Sequence, residues 1–367
     1  MKFRDLALKG PGKQYENALV QLENSTIRPR SPGVPSSTHN ASFNDVKFEN
    51  SGAGIRSRGN LPKNLSVTGS TFNNVEEGII LSRDARVGAN HNGLRDGMNG
   101  KGEFDFTAGG TLDINDNKFF GRQRFAIGID AGNDGKNVDP APGFDFSQSD
   151  IRSRFNDKTT VYDSVNISGN EIDGASEFGI ALATVQGSKA QPINVSDNDI
   201  KLTGVVEYGF NAGINIEHNA AHINVNNNRI NLSKTLNGGE QVHGIAISPF
   251  HDHGATASTK QGSGNINVSN NFIWGEGRTG VYAFGSKQTT IDNNTFNSYT
   301  YGTPNHRVFT ARKFDISIID PHDGFSDVVV SKEGGEYKSG KSEDEPSFDR
   351  HKQTREEAID PTRGTRS

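Results

Sequence analysis

The chain contains no cysteine. That excludes thiol nucleophiles, thiolate metal sites and a disulfide framework, and it is compatible with any redox compartment. Hydrophobic residues make up only 31% of the 367 positions and mean hydropathy is −0.67, both low for a compact globule. No apolar stretch is long enough to span a bilayer, and the opening Met1-Lys2-Phe3-Arg4-Asp5 lacks the apolar segment of a signal peptide. There is no run of Lys or Arg. With a net charge of −5 and a pI near 6.1, the chain has no global attraction to nucleic acid.

What the chain does have is a recurring phrase: apolar residue, two spacers, Asn, one spacer, apolar residue. It occurs as Ile114-Asn117-Phe119, Ile167-Asn170-Ile172, Val195-Asn198-Ile200, Val225-Asn228-Ile230, Val268-Asn271-Ile273 and Ile291-Asn294-Phe296. Copies without the Asn stand at Phe3-Leu6-Leu8, Phe43-Val46-Phe48 and Val67-Ser70-Phe72. A repeat this short points to a solenoid, whose thin apolar column and large polar surface account for the low hydropathy. The 43 glycines and the frequent Asn suit many tight turns with positive φ. The shortest step between phrases, Val268 to Ile291, is 23 residues, so longer steps imply loops inserted into a basic turn of that length.

A second strand-like pattern lies between phrases: Gly54-Ile55, Gly78-Ile79, Ala126-Ile127, Gly179-Ile180, Gly213-Ile214, Gly244-Ile245 and Gly280-Val281, each followed by alternating residues. Each turn therefore carries three short strands: the apolar-x-apolar segment, the segment after the Asn, and the Gly-Ile segment. This pattern resembles the right-handed parallel β-helix of the pectate-lyase-like superfamily over residues 3–330. The fold class expected is all-β, a single-stranded right-handed solenoid of about nine to ten turns. In that superfamily an Asn ladder often fills the tight turn between the second and third strands. The superfamily includes lyases, glycoside hydrolases, epimerases, phage tailspikes and adhesins, so the resemblance speaks to architecture more than to activity. The boundary falls at 330. Residues 331–367, rich in charge and serine, read as a disordered or loosely attached tail, with a capping helix near 349–359 as the alternative. Because residues 3–8 already read as a repeat, the chain is expected to begin inside the solenoid, as a mature or trimmed form.

Alternation along the Gly-Ile strand lists its outward positions: Arg56, Ile80, Ser82, Gly128, Asp130, Ala181, Ala183, Asn215, Glu217, Ala246, Ser248, Tyr282 and Phe284. The longest insertions, 84–111, 131–164 and 249–264, follow this strand and would wall a cleft on one face. The resemblance implies that this sheet and the loop after it form the substrate groove. Asp130 and Glu217 share a column two turns apart, about 10 Å between carboxyls at the usual strand spacing. An inverting glycosidase separates its acid and base by about 6.5–9.5 Å. His218 follows Glu217, and His251-Asp252-His253 opens the loop of the next turn. These four could act in general acid–base catalysis, contact substrate, or hold a divalent metal. Tyr282 is a candidate sugar-stacking residue, whereas Trp274, after the inward Ile273, is expected to pack under a turn.

Arg56, Arg83 and Lys287, with Arg58 close by, supply positive charge near the same face, and Asn215 a neutral substrate contact. Lyases of the superfamily use Arg or Lys to remove the proton α to a uronate carboxylate, often with Ca²⁺. Asp134, Asp139, Asp145 and Asp150 could offer it oxygen ligands, though without any calcium-loop spacing. Asp320-Pro321-His322 resembles the signature of mannuronan C5-epimerases, but the Tyr expected three residues before the Asp is Ser317 here. The expected partner is a polysaccharide, cleaved by lyase or hydrolase chemistry. Epimerisation and a non-catalytic tailspike or adhesin role stay open, as monomer or trimer, with no nucleic acid and no membrane span. A glycan partner implies a secreted or cell-surface protein.

Overall fold

The computed structural model describes residues 1–12, 18–23, 40–58, 62, 64–82, 110–130, 162–183, 185, 187–203, 210–217, 220–232, 241–248, 263–275, 277, 279–284, 286, 288–297, 314–320, 328–330 and 337–341. All regular structure in these residues is strand. β1 (Lys2–Arg4), β2 (Ala7–Lys9) and β3 (Ala18–Glu23) are followed by β4 (Asn40–Asn44) and β5 (Lys47–Arg58). Next come β6 (Asn64–Thr68), β7 (Thr71–Ser82), β8 (Thr111–Asn115), β9 (Lys118–Asp130), β10 (Ser164–Ser168) and β11 (Glu171–Ala183). From here the coils divide into shorter pieces: β12 (Ile193–Ser196), β13 (Asp199–Leu202) and β14 (Phe210–Glu217), then β15 (Ala221–Asn226), β16 (Arg229–Leu232) and β17 (Gln241–Ser248). The series ends with β18 (Gly264–Ser269), β19 (Phe272–Gly275), β20 (Thr279–Phe284), β21 (Thr289–Asp292), β22 (Thr295–Phe296), β23 (Phe314–Asp320), β24 (Val328–Val330) and β25 (Tyr337–Lys341).

Two parallel sheets contain all of them, an arrangement consistent with a solenoid. The first sheet runs β1-β4-β6-β8-β10-β12-β15-β18-β21-β24. The second runs β2-β5-β7-β9-β11-β14-β17-β20-β23-β25. At β11 it divides: β13 pairs with the start of that strand and β14 with its end, and β13, β16, β19 and β22 continue as a separate limb. The three strands per turn expected from the sequence are these: the first sheet, the β13-type limb, and the β14-type limb. β3, with Val20 beside Ile55, is a third-type strand that the Gly-Ile pattern does not reveal. β25 extends the second sheet past residue 330, where the repeat was expected to stop. The proposed helix at 349–359 lies outside the described residues.

The phrase sets the register. Phe3, Phe43, Val67, Ile114, Ile167, Val195, Val225, Val268 and Ile291 are direct cross-strand neighbours along the first sheet. Its closing residues form a second inward column from Leu8 through Phe48, Phe72, Phe119 and Ile172 to Phe296. Phe48, Phe72 and Phe119 stack with centroids 4.5 Å apart and nearly parallel planes. Identical shapes one strand apart repeat the same contact and leave no gap to fill.

Between these columns the chain turns in two residues. The first has positive φ, at Asp116 (59°), Gly169 (64°), Asp197 (57°), Asn227 (56°), Asn270 (57°) and Asn293 (49°). Asp, Asn and Gly tolerate this conformation best. The second is the buried Asn of the phrase. Asn170 Oδ1 accepts from the backbone N–H and Nδ2 of Asn117, and Asn198, Asn228, Asn271 and Asn294 each do the same for the Asn before them. Each Nδ2 also donates to a strand carbonyl of the preceding turn, such as Ile114 O at 2.8 Å from Asn170. Ser70 begins the ladder: its N–H donates to Asn117 Oδ1, and its hydroxyl accepts from Val46 N–H.

The glycine of the Gly-Ile strand has a packing cause. A Cβ on Gly213 would lie 2.5 Å from Ile230 Cγ2 and 2.8 Å from Gly244 O. Gly54, Gly78, Gly179 and Gly244 are equally tight against Phe72, Phe119, Ile200 and Ile273. The closing apolar residue of each phrase thus occupies the space a side chain on the third strand would need.

Candidate functional site

The outer face of the third-strand limb holds the candidate groove, and its register matches the alternation read from the sequence. Arg56, Ile80, Gly128, Ala181, Asn215, Ala246, Tyr282 and Ser317 are successive cross-strand neighbours. Ser82, Asp130, Ala183, Glu217 and Ser248 form the next column on the same face. Asp130 and Glu217 therefore stand on one column with Ala183 between them, two strand spacings or about 10 Å apart at the backbone.

The expectation that these positions face solvent is overturned. Arg56, Asn215, Glu217, Ala246, Tyr282 and Phe284 are all buried, Asn215 completely and Glu217 to 7% exposure. Pointing away from the core is not the same as facing water, because parallel sheets are commonly covered on both faces. Phe178, Ala212, Ala246, Tyr282 and Phe284 make a second apolar cluster on this outer side, joined by Phe125 and Ala181. Tyr282 is part of that cluster rather than an open sugar platform. Its ring stacks on His243, centroids 4.6 Å apart. His243 is fully buried, with Nδ1 2.5 Å from the Thr279 hydroxyl oxygen.

Arg56 is also not a free cation for substrate. Its guanidinium lies 2.6 Å from the Glu77 carboxylate, and the two side chains are 7% and 12% exposed. Asn215 is different: it is completely buried, and among the described residues neither Oδ1 nor Nδ2 has a hydrogen-bond partner. It sits between Ala181 and Ala246 in its column, two residues before Glu217 and on the same face. A buried amide bonded through neither atom is a costly arrangement that native folds seldom leave without a use.

Arg83, His218, His251, Asp252, His253 and Lys287 lie outside the described residues, as do Asp134, Asp139, Asp145, Asp150, Pro321 and His322; Asp320 closes β23. Among the described residues, no three His, Asp or Glu side chains are grouped as metal ligands, and no helix is long and apolar enough to cross a membrane. A polar hollow of about 360 Å³, lined by Ser188, Lys189, Pro192, His222, Asn224 and Asn265, opens elsewhere, where β11 returns to the first sheet.

Sequence reasoning missed the residues preceding the glycine: His243, Phe178, and the pair Arg124–Glu177, whose Nε–Oε2 distance is 2.6 Å with Glu177 3% exposed. Phe125, Phe178, Ala212, His243 and Thr279 form a third outer column before the corner. Alternation could not reveal them: Phe178 stands two residues before the inward Ile180, a spacing that predicts the same face, yet it joins the outer cluster. No protein-family model and no curated protein sequence matches this chain.

Proposed function

We propose that the chain is a single right-handed parallel β-helix of the pectate-lyase-like kind, about nine to ten coils long. On this reading it processes a polysaccharide on the outer face of the third-strand limb, by hydrolysis through Asp130 and Glu217. The observation that carries the proposal is Asn215, a completely buried amide without a partner among the described residues, on the same face as Glu217 and two residues from it. An amide offering one acceptor and two donors suits a sugar hydroxyl, which both donates and accepts.

The shared column of Asp130 and Glu217 supports an inverting reaction. Their backbones stand about 10 Å apart, close to the roughly 6.5–9.5 Å between carboxyls that admits a water. One carboxylic acid protonates the glycosidic oxygen as the bond to the anomeric carbon breaks. The other carboxylate takes a proton from the water attacking that carbon from the opposite side. The eliminative alternative, with or without Ca²⁺, has lost Arg56 to its ion pair with Glu77. A binding-only role, as in a tailspike or adhesin, is the second reading, and with Tyr282 and Phe284 buried it would not rest on those rings. A polymeric glycan as partner implies export to the medium or cell surface.

The test is incubation with a panel of neutral and uronate polysaccharides, following reducing ends together with the ultraviolet absorbance of unsaturated uronates. Hydrolysis gives new ends without absorbance, and Asp130→Asn or Glu217→Gln lowers the rate by at least about a hundredfold. Ends and absorbance rising together would mean elimination. Binding without either would leave a recognition module.

A further inference from the structure

We infer that Phe272 and Trp274, with Arg229 and Asp199 beside them, form a second glycan-binding platform on the outer face of the β13–β16–β19–β22 limb. It would receive the apolar face of a pyranose ring. The ligand class rests on the function proposed above; the site itself lies on a different limb of the sheet and does not use Asp130, Asn215 or Glu217.

Ile273 is fully buried in the core, so Phe272 and Trp274 on either side of it both point outward. The expectation that Trp274 packs under a turn is corrected here: it stands half-buried on an open sheet face. The two rings are 4.9 Å apart between centroids and tilted by only 30°, giving one continuous apolar surface. Elsewhere this face carries the exposed cross-strand ion pairs Lys118–Glu171 and Lys201–Asp173 and a single exposed ring, Phe120, beside Asp173. The aromatic pair interrupts that pattern without joining any core. Thr295, the neighbour of Phe272 on the next strand, is small and exposed, so among the described residues no bulky side chain stands over Phe272 from that strand.

Arg229 reaches the edge of the same surface, its guanidinium 5.7 Å from the Phe272 centroid and 5.4 Å from that of Trp274. Asp199 lies one strand further on, 3.6 Å from Arg229 Nε, and the two side chains are 60% and 58% exposed. An ion pair that loose and that exposed holds its partners weakly, so both can turn to a ligand. A pyranose has an apolar C–H face and a rim of hydroxyls. The rings suit the first, and an adjacent donor fork and carboxylate suit neighbouring hydroxyls on the second. The local charge is balanced between Arg229 and Asp199, which suits hydroxyl recognition rather than simple attraction of a polyanion.

Trp274 is the only tryptophan in the chain, so its emission reports on this site alone. The full-length protein is titrated with cellohexaose, xylohexaose, oligogalacturonate and oligomannuronate. The expected result is a saturable change in emission with at least one of them. Phe272→Ala weakens that response roughly tenfold, Asp199→Asn weakens it several-fold, and Glu217→Gln leaves it unaltered. An emission unmoved by every sugar overturns the platform, whether or not the protein cleaves any of them. So does a shift that follows protein concentration without sugar, accompanied by a rise in molar mass, because the rings would then seat a second copy of the chain. If Trp274 responds while no cleavage occurs, the platform stands and the hydrolytic groove falls.

Discussion

Replacing Asn198 by alanine removes four hydrogen bonds from a site that has no access to water. Asn198 Oδ1 accepts from Asn170 N–H at 3.0 Å and from Asn170 Nδ2 at 2.9 Å. Its Nδ2 donates to Ile167 O at 3.0 Å and to Asn228 Oδ1 at 2.9 Å. The losses are unequal. Asn228 Oδ1 keeps the backbone N–H of residue 198 as a donor, so that end is partly satisfied. The two donors of Asn170 lose their acceptor while staying buried, at about 1–3 kcal/mol each. With a smaller contribution from the Ile167 carbonyl, the expected loss is about 3–5 kcal/mol. The control is Asn194→Ala in the neighbouring strand: its amide donates to Asn166 at 3.3 Å and accepts from Asn224 at 3.2 Å on the half-exposed outer face, where water can replace both, and its loss costs about 0.5 kcal/mol. Urea unfolding followed by circular dichroism and by Trp274 emission separates the two, provided the slopes stay constant. If Asn198→Ala falls within about 1 kcal/mol of the parent, the ladder is ornamental and the reasoning from buried donors is wrong.

Asn215→Leu is expected to move stability and function in opposite directions. It removes a buried amide that has no partner among the described residues, raising stability by about 1–2 kcal/mol in urea melts, while glycan turnover or affinity falls; a destabilised variant would mean the amide is structural. Gly213→Ala puts a Cβ 2.5 Å from Ile230 Cγ2 and 2.8 Å from a backbone carbonyl, and should cost at least about 1–3 kcal/mol in the same melts. Arg124→Ala takes the guanidinium from a carboxylate that is 3% exposed, with an expected loss of about 3 kcal/mol by chemical denaturation. A melt indistinguishable from the parent would show Glu177 to be held by its other neighbours.

The amino-acid sequence by itself determined the register of the parallel strands. Side chains in a parallel stack meet their equivalents one repeat away, so a period in the sequence becomes a column in space, and Val195 could only stand beside Ile167 and Val225 once the strands paired. The same periodicity put Asp130 and Glu217 on one column and Asn215 on the same face. Tertiary structure decided what surrounds each column. Alternation says which way Tyr282 and Arg56 point, but not that Tyr282 joins a second apolar cluster or that Arg56 is claimed by Glu77 from the adjoining strand. Nor could it say that Trp274 remains at the surface beside Arg229. Direction is a property of the strand and follows from its local pattern. Burial and pairing depend on groups distant in the chain, and those are fixed only when the coils are stacked.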